Sequence, residues 1–220
     1  MSRFTMFALL SVVTALLLAG CAASPIVIVT APGDTFQVTT STVYTHRLRG
    51  EVKPVLGATA ALVRTANTVT VVFTTADLVP GNIYTAWWMV ANQPDACETS
   101  PCSVADIMSR ADIVHSEVGI GDGQIADEMG QAEFRATLKV GDTLDNWFGY
   151  GLPDTSAAEI HVVLHDHGPP VEGLVEEMLN SFRAGCTDES LPTIFPALAY
   201  ADGTPGPNAC IHYQFAMFQP

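Results

Sequence analysis

Between Gln131 and Val140 every second side chain is apolar. Ala132, Phe134, Ala136, Leu138 and Val140 alternate with Gln131, Glu133, Arg135, Thr137 and Lys139. Successive side chains of an extended strand point to opposite faces, so a period of two marks a half-buried antiparallel strand and rules out an amphipathic helix here. Other segments carry related signals. Thr68–Thr74 is rich in β-branched residues, and Ile83–Asn92 is apolar on both parities, as a central buried strand is. Ile26–Thr30, Ala158–Leu164 and Ile211–Phe218 complete the predicted strands. Turn residues punctuate them at Val79-Pro80-Gly81-Asn82, Gly119–Gly123, Gly141-Asp142 and Pro205-Gly206-Pro207-Asn208. One short helix is expected near 171–184, where Val171, Leu174, Val175, Met178 and Phe182 follow helical spacing and Gly185 supplies a stop. The expected fold is mainly β: an antiparallel β-sandwich-like domain with one helix.

The N-terminus has a different character. Met1–Phe7 carries one basic residue, Arg3, and Ala8–Ala19 is an unbroken run without charge. That run suits the apolar region of a signal peptide and falls short of the ~20 residues needed to span a bilayer. It ends in Leu18-Ala19-Gly20-Cys21, which resembles the lipobox of bacterial lipoprotein signal peptides. The resemblance implies that residues 1–20 are removed and that the Cys21 thiol carries a diacylglycerol, which holds the protein on a membrane of the cell envelope. A plain signal cut near Ala22-Ala23, or an uncleaved anchor, is the alternative. Ala22, rather than Asp, follows the cysteine, which implies the outer membrane if the host has one. Residues 21–220 then form a single secreted β-rich domain on a short tether. Loss of Arg3 leaves 8 of the 9 basic side chains against 23 acidic ones, a formal charge of −15. Such a surface repels phosphates, so nucleic acid is excluded as a partner.

Four cysteines remain: Cys97, Cys102, Cys186 and Cys210. An even number in an oxidising compartment reads as two disulfides. Of the three connectivities, Cys97–Cys102 and Cys186–Cys210 are favoured, because each pair is close in sequence and brackets a turn-like stretch. The longer loop gains more from closure, of order 3 kcal/mol. A zinc site using all four thiolates is the competing reading, but the spacing matches no usual zinc knuckle.

Glu159-Ile-His-Val-Val-Leu-His-Asp-His167 places Glu159, His161, His165 and His167 on one face of a strand, with Ile160, Val162 and Leu164 on the core face. Three imidazoles and a carboxylate could hold Zn²⁺ or Cu²⁺, with His115 or His212 as further ligands. Against this, His161 and His165 are about 13 Å apart along an extended strand, and solvent-facing His and Glu are ordinary. Trp147 and Tyr150, in Asp145-Asn-Trp-Phe-Gly-Tyr150, suit a glycan-binding surface if exposed and a plug of the sandwich end if not. Trp87 and Trp88 point to opposite faces, so on a one-sided sheet only one of them can be core. No Gly-x-Ser-x-Gly, Ser-x-x-Lys or His-Glu-x-x-His motif is present.

Tyr84–Cys97 taken with Ala158–Gly168 resembles a group of uncharacterised bacterial secreted proteins. That resemblance implies one continuous domain over about 69–218 and carries no activity. The expectation is a non-catalytic envelope lipoprotein that binds a ligand, protein or glycan and needs no cofactor. The alternatives are a Zn- or Cu-binding protein or enzyme built on the His strand, and a glycan-binding module.

Overall fold

The computed structural model describes residues 26–31, 34–144 and 147–220. The signal segment and Cys21 lie outside the described residues.

Two five-stranded antiparallel sheets make the frame. The first is ordered β1 (Ile26–Ala31), β2 (Asp34–Ser41), β4 (Thr59–Arg64), β5 (Thr68–Thr75), β8 (Ala132–Lys139). The second is ordered β3 (Tyr44–Thr45), β10 (Ile211–Phe218), β9 (Glu159–Gly168), β6 (Ile83–Ala91), β7 (Ser116–Ile125). The fold is β-sandwich-like, as the strand patterns predict. On β8, Phe134, Ala136 and Leu138 are buried, while Glu133, Arg135, Thr137 and Lys139 are exposed. These inward residues meet Leu62, Val71 and Phe73 of the same sheet and Tyr84, Trp88, Ile160, Val162 and Leu164 of the opposing one.

The second sheet has no solvent face along its centre. Every residue of β6 and β9 is buried. A second apolar cluster covers its outer side, built from Trp87, Met89 and Val163 of the strands and Ile107, Trp147, Phe182, Leu191, Phe195 and Ala199 of the connections. Trp87 and Trp88 are therefore both core, one in each cluster. The covering layer holds four short helices: α1 (Val104–Ser109), α2 (Ala111–Val114), α3 (Val175–Met178) and α4 (Ala197–Ala201).

Two local expectations need correction. The helix near 171–184 shrinks to the single turn α3. Its continuation is undone by competing hydrogen bonds: Asn180 Nδ2 and Ser181 Oγ donate to the Glu176 and Glu177 carbonyls, while Asp202 captures the Phe182 and Arg183 amides. Likewise, Gly119–Gly123 is no turn but lies inside β7. Its glycines admit neighbours. A Cβ on Gly121 would lie 2.9 Å from the Trp88 indole nitrogen, and one on Gly123 would lie 2.0 Å from the Leu179 carbonyl oxygen.

Both expected disulfides are formed, Cys97–Cys102 and Cys186–Cys210. The first closes the loop leading into α1. The second ties the segment after Phe182 to the start of β10.

Candidate functional site

The side chains with chemical potential sit on the outer face of β9, beneath the covering layer. Glu159, His161, Val163, His165 and His167 share that face, as the parity of the strand requires. They face the second apolar cluster instead of solvent. Their length along the strand divides them into two groups.

Glu159 and His161 form the first group. His161 Nε2 lies 2.6 Å from Glu159 Oε1, and the carboxylate also accepts from the Cys102 amide at 2.7 Å and Gln219 Nε2 at 2.8 Å. Burial raises the Glu159 pKa, but these bonds outweigh it and hold the group below its ordinary range. These bonds tie the carboxylate to the Cys97–Cys102 loop and to the chain end. A surface depression of about 310 Å³ lies alongside, bordered by Asp95, Glu98, Glu159 and Gln219.

His165 and His167 form the second group, with Cys186, Cys210 and His212. His165 is paired across the ladder with His212 of β10 and Thr85 of β6. Its ring stacks on Phe182 at 4.5 Å and stands 5.2 Å from the His212 ring, which in turn lies 5.2 Å from His46. His165 Nε2 and His167 Nδ1 are each 3.7 Å from Cys186 Sγ. One ligand atom from each of His165, His167, Cys186 and Cys210 falls within 4.8 Å of the other three.

Desolvation keeps these imidazoles neutral. It pushes His167 and His46 down to about 4, His212 to about 3 and His165 well below its ordinary value. His167 is fully satisfied. Its Nδ1 donates to the Ala184 carbonyl at 2.9 Å, which fixes Nε2 as acceptor of the Thr85 hydroxyl at 2.9 Å, and that hydroxyl accepts from Trp87 Nε1 at 2.8 Å. His165 Nδ1 and both ring nitrogens of His212 are buried with no hydrogen-bond partner among the described residues. Such orphaned groups cost about 1–3 kcal/mol each and are unusual in a core.

The proposed four-residue metal set thus does not converge. Glu159 and His161 pair with each other, and His165 and His167 meet the Cys186–Cys210 bridge instead. His115 is no strand residue: it ends α2 in the left-handed conformation and stacks on Tyr150 at 4.8 Å. The glycan surface is also corrected. Trp147 is only 7% exposed, stacked on Trp87 at 5.2 Å with Phe182 against its edge, because the unfilled outer face of the second sheet gains more from an aromatic plug than a loop does from an exposed one. Tyr150 is exposed but donates its hydroxyl to Asp112. The Thr85–His167 pair has the form of a nucleophile with its base, yet both are fully buried and all their donors are used. No family model, curated protein or solved structure matches this chain in comparisons with known proteins.

Sequence reasoning missed the meeting of Cys186 and Cys210 with the His strand, and His46 altogether. The only available signal was the parity of His212 on β10, because cross-strand register and loop return are tertiary facts.

Proposed function

We propose that this chain is a lipid-anchored, non-catalytic domain of the bacterial cell envelope that rests on its membrane by the end of the sandwich where β1 begins. The observation that carries this reading is a coincidence of tether and apolar surface. Ile26, five residues after Cys21, pairs with Thr39. The pairs Ser41–Ala60, Thr59–Thr74, Thr75–Ala132 and Ile83–Ile125 lie at the same end. The loops there are bound to one another: Arg49 pairs with Asp77, and the Leu78 amide donates to the Gly130 carbonyl. They expose Leu48, Val52, Leu56, Val79, Ile125 and Met129, six of the eleven large apolar side chains exposed among the described residues.

Five extended residues reach about 17 Å at most, so acyl chains on Cys21 hold this end against the headgroups. Exposed apolar side chains gathered at one place mark an interaction surface, and a bilayer edge is the one the tether enforces. Arg47 and Lys53 are offset by Glu51 and Glu128, so the contact is apolar more than electrostatic.

Fatty-acid labelling in a bacterial host tests the anchor. Label is expected on the wild type and none on Cys21→Ser, and an unlabelled wild type overturns the reading. Hydrogen exchange tests the posture. Reconstitution in vesicles is expected to slow exchange across 47–57 and 126–130, compared with protein cut free of its lipid. Equal exchange would remove the membrane from this end.

A further inference from the structure

We propose that Cys186, Cys210, His165 and His167 form a zinc-class metal site that the disulfide closes and reduction opens. Three features support it. First, the four donors are already gathered: one ligand atom of each lies within 4.8 Å of the others. Tetrahedral Zn²⁺, with bonds of about 2.0–2.3 Å, sets its ligands roughly 3.3–3.8 Å apart, so opening the bridge and small rotations complete the geometry. Second, two thiolates with two imidazoles are a usual ligand set of tetrahedral Zn²⁺. Third, His165 and His167 are 1% and 0% exposed, and His165 Nε2 and His167 Nδ1 each lie 3.7 Å from Cys186 Sγ.

The chemistry balances as follows. A dithiol reduces the Cys186–Cys210 bond: two electrons and two protons pass to the sulfurs, and the dithiol becomes a cyclic disulfide. Each thiol then gives up a proton as Zn²⁺ binds, so binding releases two protons. A neutral imidazole ligates without loss of a proton, so the two histidines add none to this release. His167 Nδ1 exchanges the Ala184 carbonyl for the metal. His167 Nε2 then becomes the donor to Thr85 Oγ1, the outer hydrogen bond that fixes a ligating imidazole. Before metal arrives, the freed Cys186 thiol has the Phe182 and Ala184 carbonyls within 3.9 and 3.7 Å as acceptors. Metal and disulfide compete for the same two sulfurs, so each excludes the other. This inference is independent of the membrane anchor.

The test uses the full chain, reduced with a phosphine, desalted under argon and titrated with Co²⁺. The expected result is one equivalent bound, with thiolate-to-cobalt charge transfer and the strong visible bands of tetrahedral cobalt, both erased by Zn²⁺. The oxidised chain is expected to show neither. Cys97→Ser/Cys102→Ser should keep the spectrum, and His165→Gln or His167→Gln should weaken cobalt binding by tenfold or more. A reduced chain with titratable thiols and no cobalt spectrum overturns the proposal. So does the same spectrum from the oxidised chain, or its loss in Cys97→Ser/Cys102→Ser. If reduction abolishes the near-ultraviolet circular dichroism, recovery on adding Zn²⁺ supports the site and failure to recover overturns it.

Discussion

Phe182→Ala should destabilise the whole protein by about 4 kcal/mol. The ring is 1% exposed and is the hub of the outer core. Trp87 and Trp147 meet it nearly at right angles at 5.2 and 5.0 Å, Phe195 lies at 5.2 Å, and His165 stacks on it at 4.5 Å. Removing a buried Phe costs about 3–5 kcal/mol, and the value depends on how far the lining can collapse. Here it cannot collapse far. Trp87 and His165 stand on β6 and β9, which are central strands, and the Cys186–Cys210 bridge holds the segment that would have to move. Against a total of about 5–15 kcal/mol, the loss is large. Urea unfolding followed by tryptophan fluorescence and by far-ultraviolet circular dichroism measures it. Trp87 and Trp147 report the outer core and Trp88 the inner one. Both probes should shift together, by roughly 1.3–2 M for a slope of about 2–3 kcal/mol/M, with the slope unchanged. A loss below about 1 kcal/mol would refute the argument that the covering layer is core. A fluorescence transition that separates from the dichroism would refute it too, because the layer would then unfold as an independent unit.

Asp106 should govern part of the acid response. Burial raises its pKa, but bonds from the Glu98 and Ser103 amides and the Ser103 and Thr99 hydroxyls outweigh this and hold it far below its ordinary value. A carboxyl depressed by folding stabilises the fold above its unfolded pKa and loses that contribution as pH falls, so the gap in urea midpoint between wild type and Asp106→Asn should be complete at neutral pH and close below about pH 4. A gap that persists undiminished at pH 3 would count against the carboxylate as its source. Gly123→Ala should cost about 1–3 kcal/mol, because its methyl would meet the Leu179 carbonyl oxygen at 2.0 Å. Calorimetry should show a fall in Tm of roughly 3–10 °C. An unchanged Tm would mean that the 171–184 segment does not cover β7.

What the sequence discloses follows from how local each signal is. The alternation of β8 and the two-sided run of β6 are properties of single strands, so they report burial even before the partner is known, except at Val140, which lies past the end of β8 and is exposed. The short disulfide loops are nearly local too. The covering layer is invisible because helices of four to six residues are too short to show a 3.6-residue period. The 171–184 segment misleads for a related reason. Its apolar spacing is helical, but Phe182 is claimed by Trp87 across the sheet and its amide by Asp202, so tertiary bonds win over the local pattern. The same logic explains the histidines. Their shared strand face was readable, and it suggested a surface because an imidazole tolerates water. Only the ladder, which sets His165 opposite His212, and the return of the chain at Cys186 show that the face is closed. A histidine row that a lone strand would leave to solvent thus becomes neutral, desolvated and adjacent to two sulfurs. Burial converts an ordinary polar strand into a place where the oxidation state of one bridge decides which bonds its nitrogens can make.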